Sequence, residues 1–192
     1  IAPSTSGNVL TSDGTDWTSA AAAGGVDGIS TSSTSGTAIS IDANNIVTKP
    51  NQPCFQATLG SNQNNIAAGT GDITLLFNSE IFDLNADFNT TTYTFTAPVT
   101  AKYILTAGIH SENLDTASSY YKVQIVTSNR TYYNYIGTGS FSSDVASFHF
   151  ALSQVADMDA GDTSTVTIKQ FSGTSQTDLL ASLCTFTGCL LA

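Results

Sequence analysis

The stretch from residue 93 to residue 110 constrains the fold of this chain most strongly. Up to Pro98, apolar residues alternate with threonines, and this period of two places one apolar row on one face of a strand. Proline has no N–H to donate to a sheet, so we expect the first strand to end there. A second alternating run then leads to His110, and both of its rows are apolar or small. Strands of that kind are usually covered on both faces.

From Pro53 onward the chain repeats this pattern of short alternating runs between turn clusters. Charged residues make up only 10% of the 192 residues and hydrophobic residues 41%, which suits a turn-rich β protein. About eight or more short strands without a convincing helix are typical of a β-sandwich or jelly roll. We therefore predict an all-β fold in which residues 49–192 form a jelly-roll β-sandwich head.

Residues 1–48 differ from the head and are predicted to form a thin stalk, β-rich or irregular. The Asp-Gly pair at 13–14 is a tight-turn signal, and the Asn-Asn pair at 44–45 indicates a second, small hairpin. Between them, residues 20–23 are either a short helical turn or a flexible joint, and residues 30–37 have the composition of a linker. The segment holds few apolar residues, so we expect it to be ordered only when other chains complete its core.

The first part of the stalk carries a recognisable motif. Residues 7–17 read Gly-Asn-Val-Leu-Thr-Ser-Asp-Gly-Thr-Asp-Trp. This string resembles the short unit G-x-V-L-T-S-x-G-x-x-W that is found, often repeated, in bacteriophage tail-fibre and related virion proteins, where it precedes a distal domain. The resemblance implies a virion fibre protein with the head at its distal end.

A second resemblance covers residues 53–192. Its motifs are Phe55-Gln56-Ala57, Phe82-Asp83, Tyr93, Phe95-Thr96-Ala97-Pro98-Val99, Tyr103, Leu152, Gly161-Asp162, Val166 and Thr185-Phe186-Thr187-Gly188-Cys189-Leu190-Leu191. In this order they are similar to the globular head of complement component 1q, a relative of the tumour necrosis factor jelly roll. The chain departs from that family at Ala101, at Ile104-Leu105 and in lacking a collagen-like run. The resemblance implies a tight homotrimer whose sheet nearest the axis is buried on both faces.

The residues themselves also predict self-association. Three runs, at residues 103–109, 148–152 and 183–192, have the composition of strands that are apolar on both faces. A sandwich normally leaves one face of each sheet in water, and monomers avoid a large exposed apolar patch. A closed three-fold interface hides such a sheet, so we predict a homotrimer. The predicted interface residues are Ile104, Thr106, His110, His149 and Leu190.

The charge balance argues against two classes of partner. The net charge is −10, from 15 acidic and 5 basic residues, so the surface repels phosphate groups. We therefore expect no nucleic acid partner. No run of residues is long and apolar enough to span a bilayer, so we expect no membrane insertion either.

Catalytic and metal sites are weakly supported. His110 and His149 are the only histidines, and the sequence has no Gly-x-Ser-x-Gly elbow. Asp157, Asp159 and Asp162 are weak calcium candidates, because carboxylate oxygens suit that ion but the EF-hand spacing is absent. We predict no bound metal, no cofactor and no enzymatic activity.

The three cysteines leave two alternatives open. Cys184 and Cys189 are five positions apart, so in a regular strand they face opposite ways and do not pair with each other. The simplest interpretation is three small buried thiols. The alternative is a disulfide between Cys54 and either of the other two, if the two ends of the head lie side by side.

Tyrosines are concentrated in the middle of the head, around residues 120–135. Aromatic rings beside polar side chains are typical of surfaces that bind a glycan or a protein. We name Tyr120, Tyr132 and Asn134 as receptor-binding candidates for a host-surface glycan or protein. The alternative is that alternate members, such as Tyr133 and Tyr135, belong to the core.

Together these observations predict a structural virion fibre protein, from a phage tail fibre or head fibre, whose distal head attaches to a host. We expect the sequence to be part of a longer chain that joins other virion proteins through its preceding portion. The expected location is the virion or the extracellular space. Two alternatives remain open at this stage: a secreted bacterial lectin-like adhesin, and a purely architectural trimerisation head.

Overall fold

The computed structural model of the protein describes residues 8–12, 14–15, 17–21, 39–69 and 71–191. The chain divides into two compact units, Ile1–Ala38 and Ile39–Ala192. The boundary after residue 48 that separates the predicted stalk from the predicted head stays a prediction.

The first unit contains one antiparallel hairpin. Strand β1 (Asn8–Ser12) pairs with β2 (Trp17–Ala21), with Ser12 opposite Trp17. Gly14 has φ +96°, a backbone conformation that glycine adopts without strain, which confirms the predicted tight turn. The two residues at positions 20 and 21 belong to β2, so the predicted helical turn is wrong there. Residues 22–38, including the predicted linker, lie outside the described residues.

The second unit begins with the predicted small hairpin. Strand β3 (Ser40–Ile41) pairs with β4 (Val47–Thr48), and Asn45 takes a left-handed conformation at φ +63° in the turn. The carboxylate of Asp42 accepts hydrogen bonds from the backbone N–H groups of Asn44 and Ile46, at 2.8 and 2.9 Å. Asparagine and aspartate are favoured in such turns because they tolerate positive φ and bond to nearby backbone.

The rest of the second unit is a two-layer β-sandwich. Its strands are β5 (Cys54–Thr58), β6 (Gln63–Ile66), β7 (Ile73–Thr74), β8 (Ser79–Asp83), β9 (Phe88–Asn89), β10 (Thr94–Thr96), β11 (Ala101–Leu114), β12 (Tyr120–Thr127), β13 (Thr131–Gly137), β14 (Val145–Met158), β15 (Thr163–Phe171), β16 (Thr177–Leu179) and β17 (Thr185–Leu190). The described helical segments are two short 3₁₀ turns, Thr138–Ser140 and Ala181–Leu183. Among the described residues, no helix has the length and hydropathy needed to cross a membrane.

We call the layer centred on β11 the front sheet. Strand β14 pairs along the whole of β11 on one side, while β17 and β16 share the other side one after the other. Strand β5 pairs with β17, β8 pairs with β5, and β6 pairs with β16. The opposite layer, the back sheet, has the order β13-β12-β15-β10-β9, and β7 also pairs with β15.

The two strands predicted on either side of Pro98 are confirmed, but their bounds differ from the prediction. The first strand is short, and Tyr93 precedes it in a turn at φ +59°. The second strand continues past His110 and ends at Leu114. The apolar run at 73–77 forms only the two-residue strand β7, although Leu75 and Phe77 are fully buried.

The inward residues of both sheets meet in an aromatic core. Phe55 of the front sheet stacks on Phe95 of the back sheet at 4.9 Å between ring centroids, and it contacts Phe88 at 4.7 Å and Phe186 at 5.1 Å. All four rings are at most 5% exposed. Packed aromatic rings contribute stability beyond the area that they bury, so this cluster holds the two layers together.

Gly188 provides a test of this packing. A Cβ atom added there would lie 2.5 Å from Cε1 of Phe55 and 2.9 Å from Cδ2 of Leu105. We expect Gly188→Ala to destabilise the head by about 1–3 kcal/mol, because the added methyl group overpacks the core. Thermal unfolding measures this. The control is Gly139→Ala, which adds a methyl group where no atom lies within 4 Å. Equal melting temperatures for the two variants would contradict the described core.

One disulfide joins the ends of the head. Cys54 and Cys189 are bonded and lie opposite each other in β5 and β17. Cys184 is free and buried, and its sulfur lies 3.3 Å from the backbone N–H of His110. The interpretation of three buried thiols is therefore wrong, and the open alternative is confirmed with Cys189 as the partner. The pairing depends on register between distant strands, which local sequence does not reveal.

Tyr121 makes the stability of the head depend on pH in the alkaline range. It is fully buried, its hydroxyl accepts a hydrogen bond from the N–H of Asp115 at 2.8 Å, and burial raises its pKa from 10.0 to about 12. A folded pKa above the unfolded value contributes stability that is complete below pH 10 and is lost as the pH rises toward 12. We expect chemical denaturation at several pH values to record this loss, and Tyr121→Phe to reduce it. An unchanged slope in the variant would contradict this assignment.

Candidate functional site

The outer surface of the front sheet, which we call the front face, faces away from the core. Directly opposite residues of antiparallel strands share a face, so the register arranges the outward side chains in rows across β14, β11, β17 and β5. The rows are Val155, Ile104, Cys189 and Cys54; Ser153, Thr106, Thr187 and Gln56; Ala151, Gly108, Thr185 and Thr58; and His149 with His110. The front face therefore combines one apolar row with hydroxyl-rich rows.

Four of the five predicted interface residues lie on the front face. Ile104 is 39% exposed and Val155 beside it is 52% exposed. The hydroxyls of Thr106 and Ser153 are hydrogen-bonded at 3.0 Å. His110 lies opposite His149, with 6.1 Å between ring centroids, and its Nε2 is 2.9 Å from the hydroxyl of Ser147.

Leu190 differs from the other four. It lies opposite Tyr103 and packs against the core, so it faces inward. The outward residues of β17 include Thr185 and Thr187, and those of β14 include His149 and Ser153. The prediction that the runs at 148–152 and 183–192 are apolar on both faces is therefore wrong, because alternation gives each an apolar inner row and an outer row of mainly small or polar residues.

The outer surface of the back sheet carries a cluster of aromatic rings. The ring of Tyr120 lies 4.9 Å from that of Tyr135 on β13 and 4.9 Å from that of Phe171 on β15, with an angle of 3° between the planes of Tyr120 and Phe171. Tyr133 follows on the same face of β13. Tyr133 is 63% exposed and Tyr135 54%. We call Tyr120, Tyr133, Tyr135 and Phe171 the aromatic platform.

Polar groups lie beside and between these rings. Lys122 and Lys169 are directly opposite each other on β12 and β15. Lys122 forms an ion pair with Asp72 at 3.3 Å, and the ammonium of Lys169 lies 5.4 Å from the ring centre of Phe171. The amide of Gln124 donates to the hydroxyl of Thr167 at 2.9 Å. Partial burial raises the pKa of Asp72, but hydrogen bonds from Gln124 and Lys122 and the two ammonium charges outweigh it, so the pKa is lowered.

The three predicted receptor-binding residues do not lie on one surface. Tyr120 belongs to the aromatic platform. Tyr132 and Asn134 point the other way: Tyr132 packs against the core, and the amide of Asn134 donates to the backbone oxygen of Ala151 at 2.9 Å. The alternative that Tyr133 and Tyr135 belong to the core is therefore wrong, because they are the exposed members of the alternation of β13.

The aspartates proposed for calcium do not converge. Asp157 forms an ion pair with Lys102. The carboxylate of Asp162 accepts from the backbone N–H of Asp159 at 2.8 Å and from the amide of Asn129 at 2.5 Å, so it closes the turn between β14 and β15. Within the described part of the chain, no group of three or more His, Cys, Asp or Glu side chains is placed to hold a metal ion. The calcium candidates gain no support from this geometry.

Comparisons with known proteins give a fold but no family. No protein-family model matches the chain, and no curated protein matches it. The globular domain of zebrafish complement 1qA protein is similar at 17% identity with a TM-score of 0.52, over 73% of this chain and 98% of that one. Murine APRIL is similar at 8% identity with a TM-score of 0.53, over 73% of this chain and 99% of that one.

At these identities the likeness concerns the fold alone. It confirms the predicted all-β jelly-roll sandwich of the complement 1q and tumour necrosis factor type. The resemblance of residues 7–17 to tail-fibre proteins stays a prediction. The second unit of this chain therefore has a jelly-roll fold that is similar to the folds of these two solved structures.

Proposed function

We propose that this chain is a subunit of a homotrimeric virion fibre whose jelly-roll head attaches the particle to a host. The observation that carries the proposal is the front face, an extended sheet surface whose apolar row is uncovered in a single chain. Burying one such aliphatic side chain contributes about 1.5–3 kcal/mol. Three copies around an axis would bury this row three times, and the hydroxyl rows beside it would supply hydrogen-bonding groups.

Two further observations support a fibre outside the cell. The string at residues 7–17 resembles the unit that precedes distal domains in phage fibres, and its described residues lie in the hairpin of β1 and β2. The disulfide between Cys54 and Cys189 is typical of proteins in oxidising surroundings. Both fit a protein that remains folded on a particle surface without a cofactor.

The composition of purified particles tests the virion assignment. We expect mass spectrometry of virus particles from the source to detect this chain as a stoichiometric component, and an antibody against the head to label the end of a fibre in electron micrographs. If the chain is absent from particles but present in bacterial culture medium, the virion assignment is overturned. The exposed aromatic platform would then favour the second candidate, a secreted lectin-like adhesin.

A further inference from the structure

The aromatic platform is not needed to complete the core. Beneath it, Tyr121, Val123 and Ile125 of β12 and Val166 and Ile168 of β15 are fully buried and close the back sheet from inside. Tyr133, Tyr135 and Phe171 are exposed, and Tyr120 contacts both Tyr135 and Phe171. The rings therefore form an apolar patch, and such patches usually mark a binding surface. The platform therefore has no structural role that the described packing requires.

The platform also remains available in the proposed trimer. It lies on the outer surface of the back sheet, whereas the front face is the outer surface of the other layer. Since both sheets direct their inward rows at a common core, these two surfaces point in opposite directions. In a trimer whose three front faces meet at the axis, the outer surface of the back sheet is directed away from that axis.

The shape and chemistry of the site suit sugar rings. Tyr120, Tyr133 and Tyr135 line a shallow groove whose volume is within the range of small-ligand sites. The groove that contains these three rings measures 510 Å³, and Lys122, Gln124 and Thr131 complete its lining. Flat ring faces can stack on the C–H faces of sugars, while the tyrosine hydroxyls and the lysine ammonium groups can bond to sugar hydroxyls. A stable protein–protein interface needs about 800 Å² on each partner, more than six side chains offer.

The local charge of the platform favours an acidic sugar. Lys122, Lys169 and Asp72 together carry +1, whereas the whole chain carries −10, so the remaining residues carry −11. An acidic ligand is repelled by the molecule as a whole but meets two ammonium groups at this one face. Nucleic acid needs many more cations than two lysines to overcome the overall charge.

We propose that the aromatic platform binds an acidic polysaccharide, with sugar rings stacked on Tyr133 and Tyr135 and their carboxylate or phosphate groups held by Lys122 and Lys169. This proposal deepens the proposed function, because it names the chemical class of host surface to which the head attaches. The strand β13 lies at the edge of the back sheet, so a long polymer bound on the platform can continue beyond this edge.

Binding of the full chain to an array of acidic and neutral bacterial polysaccharides tests the proposal, followed by titration with the best acidic binder and with neutral dextran. We expect at least one acidic polysaccharide to bind and dextran to bind more weakly. Tyr133→Ala with Tyr135→Ala should weaken binding about 30-fold or more, judging from the effect of aromatic stacking on nucleic acid bases. The matched control, Tyr133→Phe with Tyr135→Phe, keeps the rings and should retain most of the affinity.

Replacing Lys122 and Lys169 should change the salt dependence of binding as well as the affinity. Lys122→Gln with Lys169→Gln should weaken binding of the acidic polymer about tenfold and should flatten its dependence on salt, because screening acts on the charges that the variant lacks. No bound acidic polysaccharide, unchanged affinity of the alanine variant, or equal binding of dextran would overturn the proposal. Capture of a protein through these residues without any glycan would also overturn it.

These outcomes are distinguishable from failure of the proposed function. The oligomeric state of every variant is measured alongside binding, and a monomeric chain that still binds acidic polysaccharide through these residues would overturn the trimer alone. A trimeric chain that binds no acidic polysaccharide would overturn the platform proposal alone.

Discussion

Ile104→Lys is expected to convert the proposed trimer into monomers while the jelly roll stays folded. Ile104 lies in the apolar row of the front face, beside Val155, and lysine there places three ammonium groups around the axis. Each subunit loses about 1.5–3 kcal/mol of apolar burial. Because the trimer contains three copies of the substitution, the dissociation constant of the trimer should become at least about 1,000-fold larger. Sedimentation equilibrium measures the mass, and circular dichroism checks the fold.

Leu76→Lys is the matched control for this variant. Leu76 and Ile104 are each 39% exposed in the single chain, but Leu76 lies in a loop outside the front face. We expect the Leu76 variant to remain a trimer. If both variants keep the mass of the wild-type chain, Ile104 is not at the interface, and if both dissociate, the effect is not specific to the front face.

Removing the disulfide is expected to have the largest effect on thermal stability. The bond between Cys54 and Cys189 closes a loop with a sequence separation of 135, and it holds β5 against β17. Loss of a native disulfide typically costs about 2–5 kcal/mol. For a chain of this size, Cys54→Ser with Cys189→Ser should therefore lower the melting temperature by about 5–15 °C.

A reducing agent provides the control for this prediction. It should lower the melting temperature of the wild-type chain toward that of the double variant and leave the double variant unchanged, because Cys184 forms no disulfide. If the reductant shifts both proteins equally, the effect has another cause. If it shifts neither and the variant is as stable as the wild type, the bond does not stabilise the head.

The turn before β13 already determines which tyrosines of that strand face outward. Ser128 and Asn129 form the turn, with the N–H of Thr127 bonded to the oxygen of Arg130 at 2.8 Å. A two-residue turn at this place fixes Ile125 opposite Tyr132. Because Ile125 belongs to an inward row, Tyr132 must face inward as well. The phase of β13 was therefore predictable, and Tyr133 could have been recognised as exposed.

Other features depend on contacts that no local pattern contains. Tyr120 meets Phe171 only because β12 pairs with β15, more than 40 residues later in the chain. The disulfide likewise requires the first and last strands of the head to be neighbours. Alternation of single strands predicts which residues are buried, whereas the platform and the disulfide arise from the order of strands in each sheet.

The front face illustrates both situations. Ile104 and Thr106 follow directly from the alternation of β11, and the structure places both of them outward. The inward position of Leu190 was missed because the last segment was judged by its overall apolar composition. Its alternate positions, Thr185 and Thr187, already indicate a polar outer row.

The mass of the wild-type chain in solution tests the central claim most directly, namely that the front face is covered by other copies of the same chain. At micromolar concentration, sedimentation equilibrium should give a single species with three times the 19.9 kDa mass of one chain. A folded, stable species of 19.9 kDa at that concentration would contradict the account, because the front face would then be open to water.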